Sequence, residues 1–396
     1  MNFIFISPQF PHTYWNFCDR LRKSGVNVLG IGDSPYDQLE AHLKQCLTEY
    51  YRVDSLEDYD QVFRAAAFLA FKHGKIDRLE SNNESWLEQD ARLRTDFHIT
   101  TGADINEVAC FKSKSGMKAY YAKAGVPTAR CRTVTTLEKA EEFLTETGYP
   151  VIVKPDCGVG AAHTDKLENK DDLQRFFARL PENPYVMEEF IEGDIVSYDA
   201  ITDSRCEPLF ESMTVWPPSI MDIVNQGLDL SYYTADQVPE ALAKLGRATV
   251  KSFGARSRFV HLEFFRLTKP RPGLGDTGDF VGLEVNMRPA GGYTPDMMNF
   301  AHSTDVYQIW ADMVTCDKRI LPESDRHHFC VYASRRDEHQ YRHSHEEILE
   351  RYGKRIVMCE RMPEILSGAM GNQMYTAHAA NQDEVQEFIQ FVHKRV

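Results

Sequence analysis

The chain has 396 residues, with 45 Lys+Arg against 59 Asp+Glu, enough for two or three compact units at ~100–200 residues each. The formal charge of −14 argues against a general nucleic-acid binder, because neutralising phosphates needs a Lys/Arg surplus on one face. Nine scattered cysteines without a CxxC pair argue against a disulfide framework or a zinc knuckle and fit thiols of a reducing compartment.

Phe3–Ser7 is a short apolar run closed by Pro8 and reads as a first strand. It has no basic lead and ends too early for a signal peptide, so a cytoplasmic location is expected. His12–Lys23 carries Tyr14, Trp15, Cys18 and Leu21 at helical spacing, with Gly25 where a helix stops. Val26–Ile31 is a second strand, which completes a βαβ start and implies a parallel sheet with helices on its faces. Tyr59–Gly74 reads as a helix. Within it, Ala65–Phe71 is the longest uninterrupted apolar run, far short of the ~20 residues that span a bilayer, so no membrane partner is expected. Ile76–Ser81 is a strand ending in Asn82-Asn83-Glu84, residues that either touch a ligand or cap the helix from Ser85.

From Phe111 the alternation becomes finer. Lys114–Ala124 is helical and closed by Gly125-Val126-Pro127, Leu137–Gly148 is a helix, and Pro150–Lys154 is a buried strand. Asp171–Leu180 is a helix and Tyr185–Phe190 a strand. Phe259–Leu267 and Phe280–Asn286 read as the two arms of a hairpin around the Gly/Pro-rich turn Thr268–Asp279. The tail from about Leu321 is charged and His-rich, then resumes with Arg355–Cys359 and a final helix, Gln382–His393. Its His339, His343 and His345 lie among Arg342, Glu346 and Glu347, which favours a solvated polar helix over a metal cluster.

The chain has no GxxxxGK[ST], and Gly30-Ile31-Gly32 follows the second strand without a third glycine, so neither a P-loop nor a dinucleotide fingerprint is present. Three other features carry chemistry. Lys154 ends an apolar strand before Pro155-Asp156-Cys157-Gly158-Val159-Gly160, a loop of small residues whose N–H groups can approach phosphate. Val186-Met187-Glu188-Glu189-Phe190-Ile191-Glu192-Gly193-Asp194 places two acids at a strand end beside an apolar pair. On the hairpin, alternation puts Glu284, Asn286 and Arg288 on one face; with Glu263 turned the same way, two carboxylates and an amide oxygen converge, a donor set suited to Mg²⁺. Cys157, within the lysine loop, has no local His/Asn arrangement to make it a nucleophile.

Taken in order over residues 109–316, these segments resemble the ATP-grasp enzymes. Lys114-Ser115-Gly116-Met117-Lys118 with Ala124-Gly125-Val126-Pro127 is similar to their opening segment, and Val151-Ile152-Val153-Lys154-Pro155 to their second lysine and lid. Val186–Gly193 resembles their adenine hinge, and Leu262-Glu263-Phe264 with Glu284-x-Asn286-x-Arg288 their metal signature. The resemblance implies an α/β ATP-grasp fold at residues 109–316, including a mobile lid subdomain at about 127–188. A Rossmann-like α/β domain (1–108) would precede it, and a C-terminal α/β segment (317–396) would pack on the core.

The resemblance further implies ATP with Mg²⁺, for which Mn²⁺ can substitute. Lys114 and Lys154 would contact phosphates, Gly158 and Gly160 shape the lid, and Glu188, Glu189, Phe190 and Ile191 line the adenine. Glu263, Glu284 and Asn286 would ligate the metal, and Arg288 with Gly291 and Gly292 would hold the reacting acyl group. Three departures stand out. Ala161-Ala162-His163 replaces the usual serine and glycine of the lid. Ile195 stands where an acid is common, leaving Asp194 or Glu189 for the ribose. Lys112 competes with Lys114, although the spacing to Gly125 favours Lys114. The implied activity is an ADP-forming carboxylate–amine ligase acting on amino acids through an acyl phosphate, with small-molecule partners and a homodimer as the common assembly. A bicarbonate-phosphorylating carboxylase and a nucleotide-binding protein without turnover are the alternatives. Specificity is expected in Phe210–Tyr233, the N-terminal strand ends and the Gly291–Met298 loop.

Overall fold

The computed structural model describes residues 1–158, 164–179, 184–216 and 228–396. Three sheets organise them. The first is parallel, in the order β3-β2-β1-β4, built from β1 (Asn2–Ile6), β2 (Asn27–Gly32), β3 (Glu49–Arg52) and β4 (Arg78–Glu80). The expected βαβ start is there, its first helix being a 3₁₀ turn at His12–Tyr14 that runs into Trp15–Lys23. Phe3, Phe5 and Phe17 pack edge-on against Trp310 of the helix Val306–Cys316, so the N-terminal domain shares a core with later parts of the chain rather than hanging from a linker. No helix among the described residues is long and apolar enough to cross a membrane.

The second sheet is antiparallel, in the order β5-β8-β6-β7: β5 (Cys131–Val134), β6 (Val151–Pro155), β7 (Asp165–Leu167) and β8 (Tyr185–Glu189). Its Val151, Val153, Tyr185 and Met187 bury one face against Phe143 and Leu173 of the helices Leu137–Thr147 and Lys170–Phe177. The other face carries Lys154 and Glu188.

The third sheet has eight strands in the order β13-β12-β9-β10-β11-β14-β16-β15. They are β9 (Gly193–Thr202), β10 (Pro208–Trp216), β11 (Ser231–Thr234), β12 (Arg258–Leu267), β13 (Phe280–Asn286), β14 (Phe329–Arg335), β15 (Ile356–Arg361) and β16 (Gln373–Ala379). The hairpin expected from alternation is β12–β13. The C-terminal segment contributes β14, β15 and β16, which continue the same sheet. Its histidines are not one solvated helix. His339 contacts Asp229, His343 stacks on Phe391 and His345 meets the Tyr375 hydroxyl.

The helix Lys114–Ala124 joins the sheets. Its N-cap Ser113 accepts from the Gly116 N–H at 3.0 Å, and it stops at Gly125, whose φ of +69° is the left-handed conformation a helix end requires. Asp156, just past β6, ties that end of the helix to the second sheet. Its carboxylate accepts from the Ser113 hydroxyl and the Ser115 N–H, both at 2.8 Å.

Candidate active site

The face of β6 and β8 opposite the Val151–Phe143 cluster is charged for a reason of register. Ile152 pairs with Glu188 and Lys154 with Val186, so Lys154 and Glu188 are diagonal neighbours on one face. Lys154 Nζ lies 2.6 Å from Glu188 Oε2, and both residues are buried. Lys118, one helical turn on from Lys114, brings its Nζ to 2.7 Å from Glu188 Oε1. Burial alone would raise the Glu188 pKa, but the two lysines outweigh it and bring it to about 2. Burial would likewise lower Lys154, and Glu188 reverses that, so the net direction is upward.

The β12–β13 hairpin forms the facing wall. Glu263 stands opposite Glu284 and His261 opposite Asn286, so all four share one face, while Leu262 and Val285 enter the core. Lys114 Nζ lies 3.0 Å from Glu284 Oε1 and donates to the Gly158 carbonyl at 3.1 Å. Lys112 instead points to Glu88 at 3.5 Å, so Lys114 is the lysine that enters the site. His261 joins Glu263 (3.2 Å) to Asp199 (2.6 Å), and Asp199 accepts from the Ser197 hydroxyl at 2.5 Å. Burial would lower the His261 pKa; Asp199 and Glu263 raise it to about 9. The imidazolium in turn holds Glu263 below the usual carboxylate range against the opposing effect of burial. Both walls converge on Tyr121, whose hydroxyl is buried without a partner among the described residues. Its ionisation is pushed up by burial first and then by Glu284, Glu263 and Glu188.

Arg288, just past β13, donates to the Pro289 carbonyl at 2.8 Å and lies 3.8 Å from Glu84 of the N-terminal domain. Burial raises the Glu84 carboxyl and Glu284 adds to that, while Arg288 opposes it. The Ser81–Glu84 segment thus divides its work. Asn83 accepts from the Ser85 N–H at 3.0 Å as a cap, whereas Glu84 reaches the arginine. Gly292 has a φ of +62°, a left-handed conformation that favours glycine at this turn.

The remaining expected residues separate. Glu189 is turned away from the lysines: its carboxylate takes Arg130 at 2.8 Å and Arg271 at 2.9 Å, so it is a clamp between the second sheet and the β12–β13 turn. Asp194 is half-exposed and paired with Arg266 at 2.8 Å. Ile191 is buried against Ala129, Leu267 and Val281, and Phe190 lies under the Lys166 ammonium. Cys157 is exposed, and partial burial of its thiol group pushes the pKa upward, contrary to a nucleophile's need. Gly160 and Ala161-Ala162-His163 lie outside the described residues, as does 217–227 of the expected specificity region. Sequence reasoning missed Lys118, Asp156 and the Asp199–His261 pair. The lysine spacing of four on a helix was the available signal for the first.

Residues 118–258 match the model of the ATP-grasp domain. Among solved structures, the L-amino acid ligase from Bacillus licheniformis superposes with a TM-score of 0.72 at 14% identity, covering 98% of this chain and 96% of that one. Phosphoribosylglycinamide synthetase from Anaerococcus prevotii gives 0.68 at 13%, covering 99% and 97%. The biotin carboxylase domain of 2-oxoglutarate carboxylase from Hydrogenobacter thermophilus, solved with MgADP and bicarbonate, gives 0.71 at 14%, covering 98% and 89%. The chain therefore has the ATP-grasp fold preceded by a Rossmann-like α/β start, with the ATP-grasp domain matched over residues 118–258.

Proposed function

We propose that the protein is an ATP-dependent carboxylate–amine ligase that joins an amino acid to an amine through an acyl phosphate, releasing ADP and phosphate. The observation that carries the reading is the pairing of Lys154 with Glu188 and of Lys114 with Glu284 on the two walls of one site. Buried ammonium groups held by carboxylates are ready to exchange those partners for phosphate oxygens.

Among the described residues no group of three His, Cys, Asp or Glu could hold a metal by itself. Glu263, Glu284 and Asn286 nonetheless fit Mg²⁺, which commonly takes a few protein oxygens and completes its shell with phosphates and water. When bound there, Mg²⁺ would supply charge neutralisation at the β- and γ-phosphates.

The protein's own share is positioning and electrostatics. Lys114 and Lys154 hold the phosphates, and His261 fixes the Glu263 carboxylate. Arg288 orients a substrate carboxylate for attack on the γ-phosphorus, giving ADP and an acyl phosphate. An amine then attacks the acyl carbon and phosphate leaves. Arg288 and Glu84, 3.8 Å apart, offer a cation and an anion side by side. That pair matches the carboxylate and ammonium of an amino acid, and an arriving ammonium would favour the Glu84 carboxylate against the effect of its burial. The superposed amino acid ligase supports the same substrate class.

ADP release measured with pooled amino acids, with bicarbonate and with neither tests the reading. Stimulation by amino acids is expected. Stimulation by bicarbonate alone would move the protein to the carboxylase type, and AMP as the only nucleotide product would overturn the acyl-phosphate route.

A further inference from the structure

Lys154 is held at 2.6 Å by a carboxylate that is itself buried. If Lys154 simply left for a phosphate, Glu188 would remain as an uncompensated buried charge, a strongly unfavourable state. Lys118 removes that obstacle. It approaches the other oxygen of the same carboxylate at 2.7 Å. It comes from the helix Lys114–Ala124, whose start Asp156 anchors.

We propose that Lys118 is a positioning residue for nucleotide binding: it keeps Glu188 paired when Lys154 turns to the phosphates. The inference rests on the ATP-site reading above. The free site holds two ammonium groups on one carboxylate, a local surplus of one positive charge. Binding then becomes an exchange in which Lys118 retains Glu188 and Lys154 takes phosphate oxygens. Lys114 makes the parallel exchange from Glu284, which is freed for the metal. Without Lys118 the surplus disappears, and ATP has to break a neutral, desolvated pair.

Isothermal titration with Mg·ATP tests this. Lys118→Met is expected to weaken binding about a hundredfold, the usual scale for truncating one member of a buried charged contact. Lys118→Arg should restore most of the affinity, and kcat at saturating ATP should fall far less than KM rises. The decisive variant is Lys118→Met with Glu188→Gln. Removing the stranded carboxylate frees Lys154, so the double variant should bind ATP more tightly than Lys118→Met alone. A structural or direct phosphate-binding role predicts no such rescue. Normal ATP affinity in Lys118→Met, or a double variant no tighter than the single, would overturn the proposal. Wild-type protein that fails to bind Mg·ATP would instead overturn the reading beneath it, a separate outcome visible in the first titration.

Discussion

The two walls of the cleft neutralise their charges in opposite ways. On the β6–β8 wall one carboxylate, Glu188, faces two lysines and titrates at about 2. On the β12–β13 wall Glu263 and Glu284 stand opposite each other with His261 on the first and Lys114 on the second, and His261 also holds Asp199 of β9, so three carboxylates share two cations. The first wall has cations to spare and the second has anions. A ligand that brings both a polyanion and a divalent cation satisfies both at once, and neither component alone does. On the proposed reading the difference between the walls suits a metal–nucleotide complex, with Arg288 and Glu84 repeating the cation–anion pairing at the proposed substrate end.

Removing a charge from the anionic wall should break this balance most. Glu284→Gln keeps size but deletes one anionic donor, and turnover should fall more than about a hundredfold, the scale of several kcal/mol for metal-centred charge stabilisation. Thermal melting without ligand should hardly move, and Mg·ATP should lose its stabilising effect. Near-normal turnover would remove Glu284 from the metal set.

Arg288→Lys probes the substrate end. A guanidinium holds two oxygens in a planar fork and an ammonium does not. The chemical step should slow by ~3 kcal/mol, about a hundredfold, with ATP affinity retained. An unchanged single-turnover rate would make Arg288 structural.

Glu189 sharpens the contrast within one strand, since its neighbour Glu188 faces the cleft. Glu189→Gln loosens two arginines that are themselves more than a third exposed, so the cost after solvent screening is about 1–2 kcal/mol. The melting temperature should fall by a few degrees while KM for ATP stays put. A raised KM with unchanged melting would make Glu189 the ribose acid.

Asp296 shows what a buried carboxyl does without lysines. Its partner is the Tyr307 hydroxyl at 3.0 Å, and burial raises its pKa from 3.8 to about 7. Folded protein then binds a proton that unfolded chain has lost, so this group's stabilisation is present below pH ~4 and disappears as pH rises through 7. Glu188 has the opposite sign: its stabilisation is present above about pH 4.5 and is lost as pH falls toward 2. Asp296→Asn should flatten the decline in melting temperature between pH 4 and 7 and leave the acid limb unchanged.

The parts of this arrangement that the sequence revealed are those whose pattern is local. The helix Lys114–Ala124 has its capping serine and closing glycine, and β12–β13 alternates around a Gly/Pro turn. The centre of the large sheet was not legible. In β9 the residues Ser197, Asp199 and Thr202 are polar yet buried, satisfied by neighbours distant in sequence such as His261 and Ala255. Their polarity hides the strand from any apolar template. β14 was obscured by the charged residues around it, although the strand itself is buried between β11 and β16. Of the site, Lys154, Glu284 and Arg288 stood in recognisable order. Lys118 acquires meaning only when β8 folds against the helix that carries it.

The most direct test of the acyl-phosphate route traces one oxygen atom. In that mechanism the substrate carboxylate attacks the γ-phosphorus, and when the amine displaces phosphate that carboxylate oxygen leaves on it. Turnover of amino acids labelled with ¹⁸O in the carboxylate should therefore yield inorganic phosphate carrying one labelled oxygen, read by ³¹P NMR, in step with ADP. Unlabelled phosphate, or label appearing in AMP, would contradict phosphoryl transfer to the carboxylate and with it the role assigned to both walls.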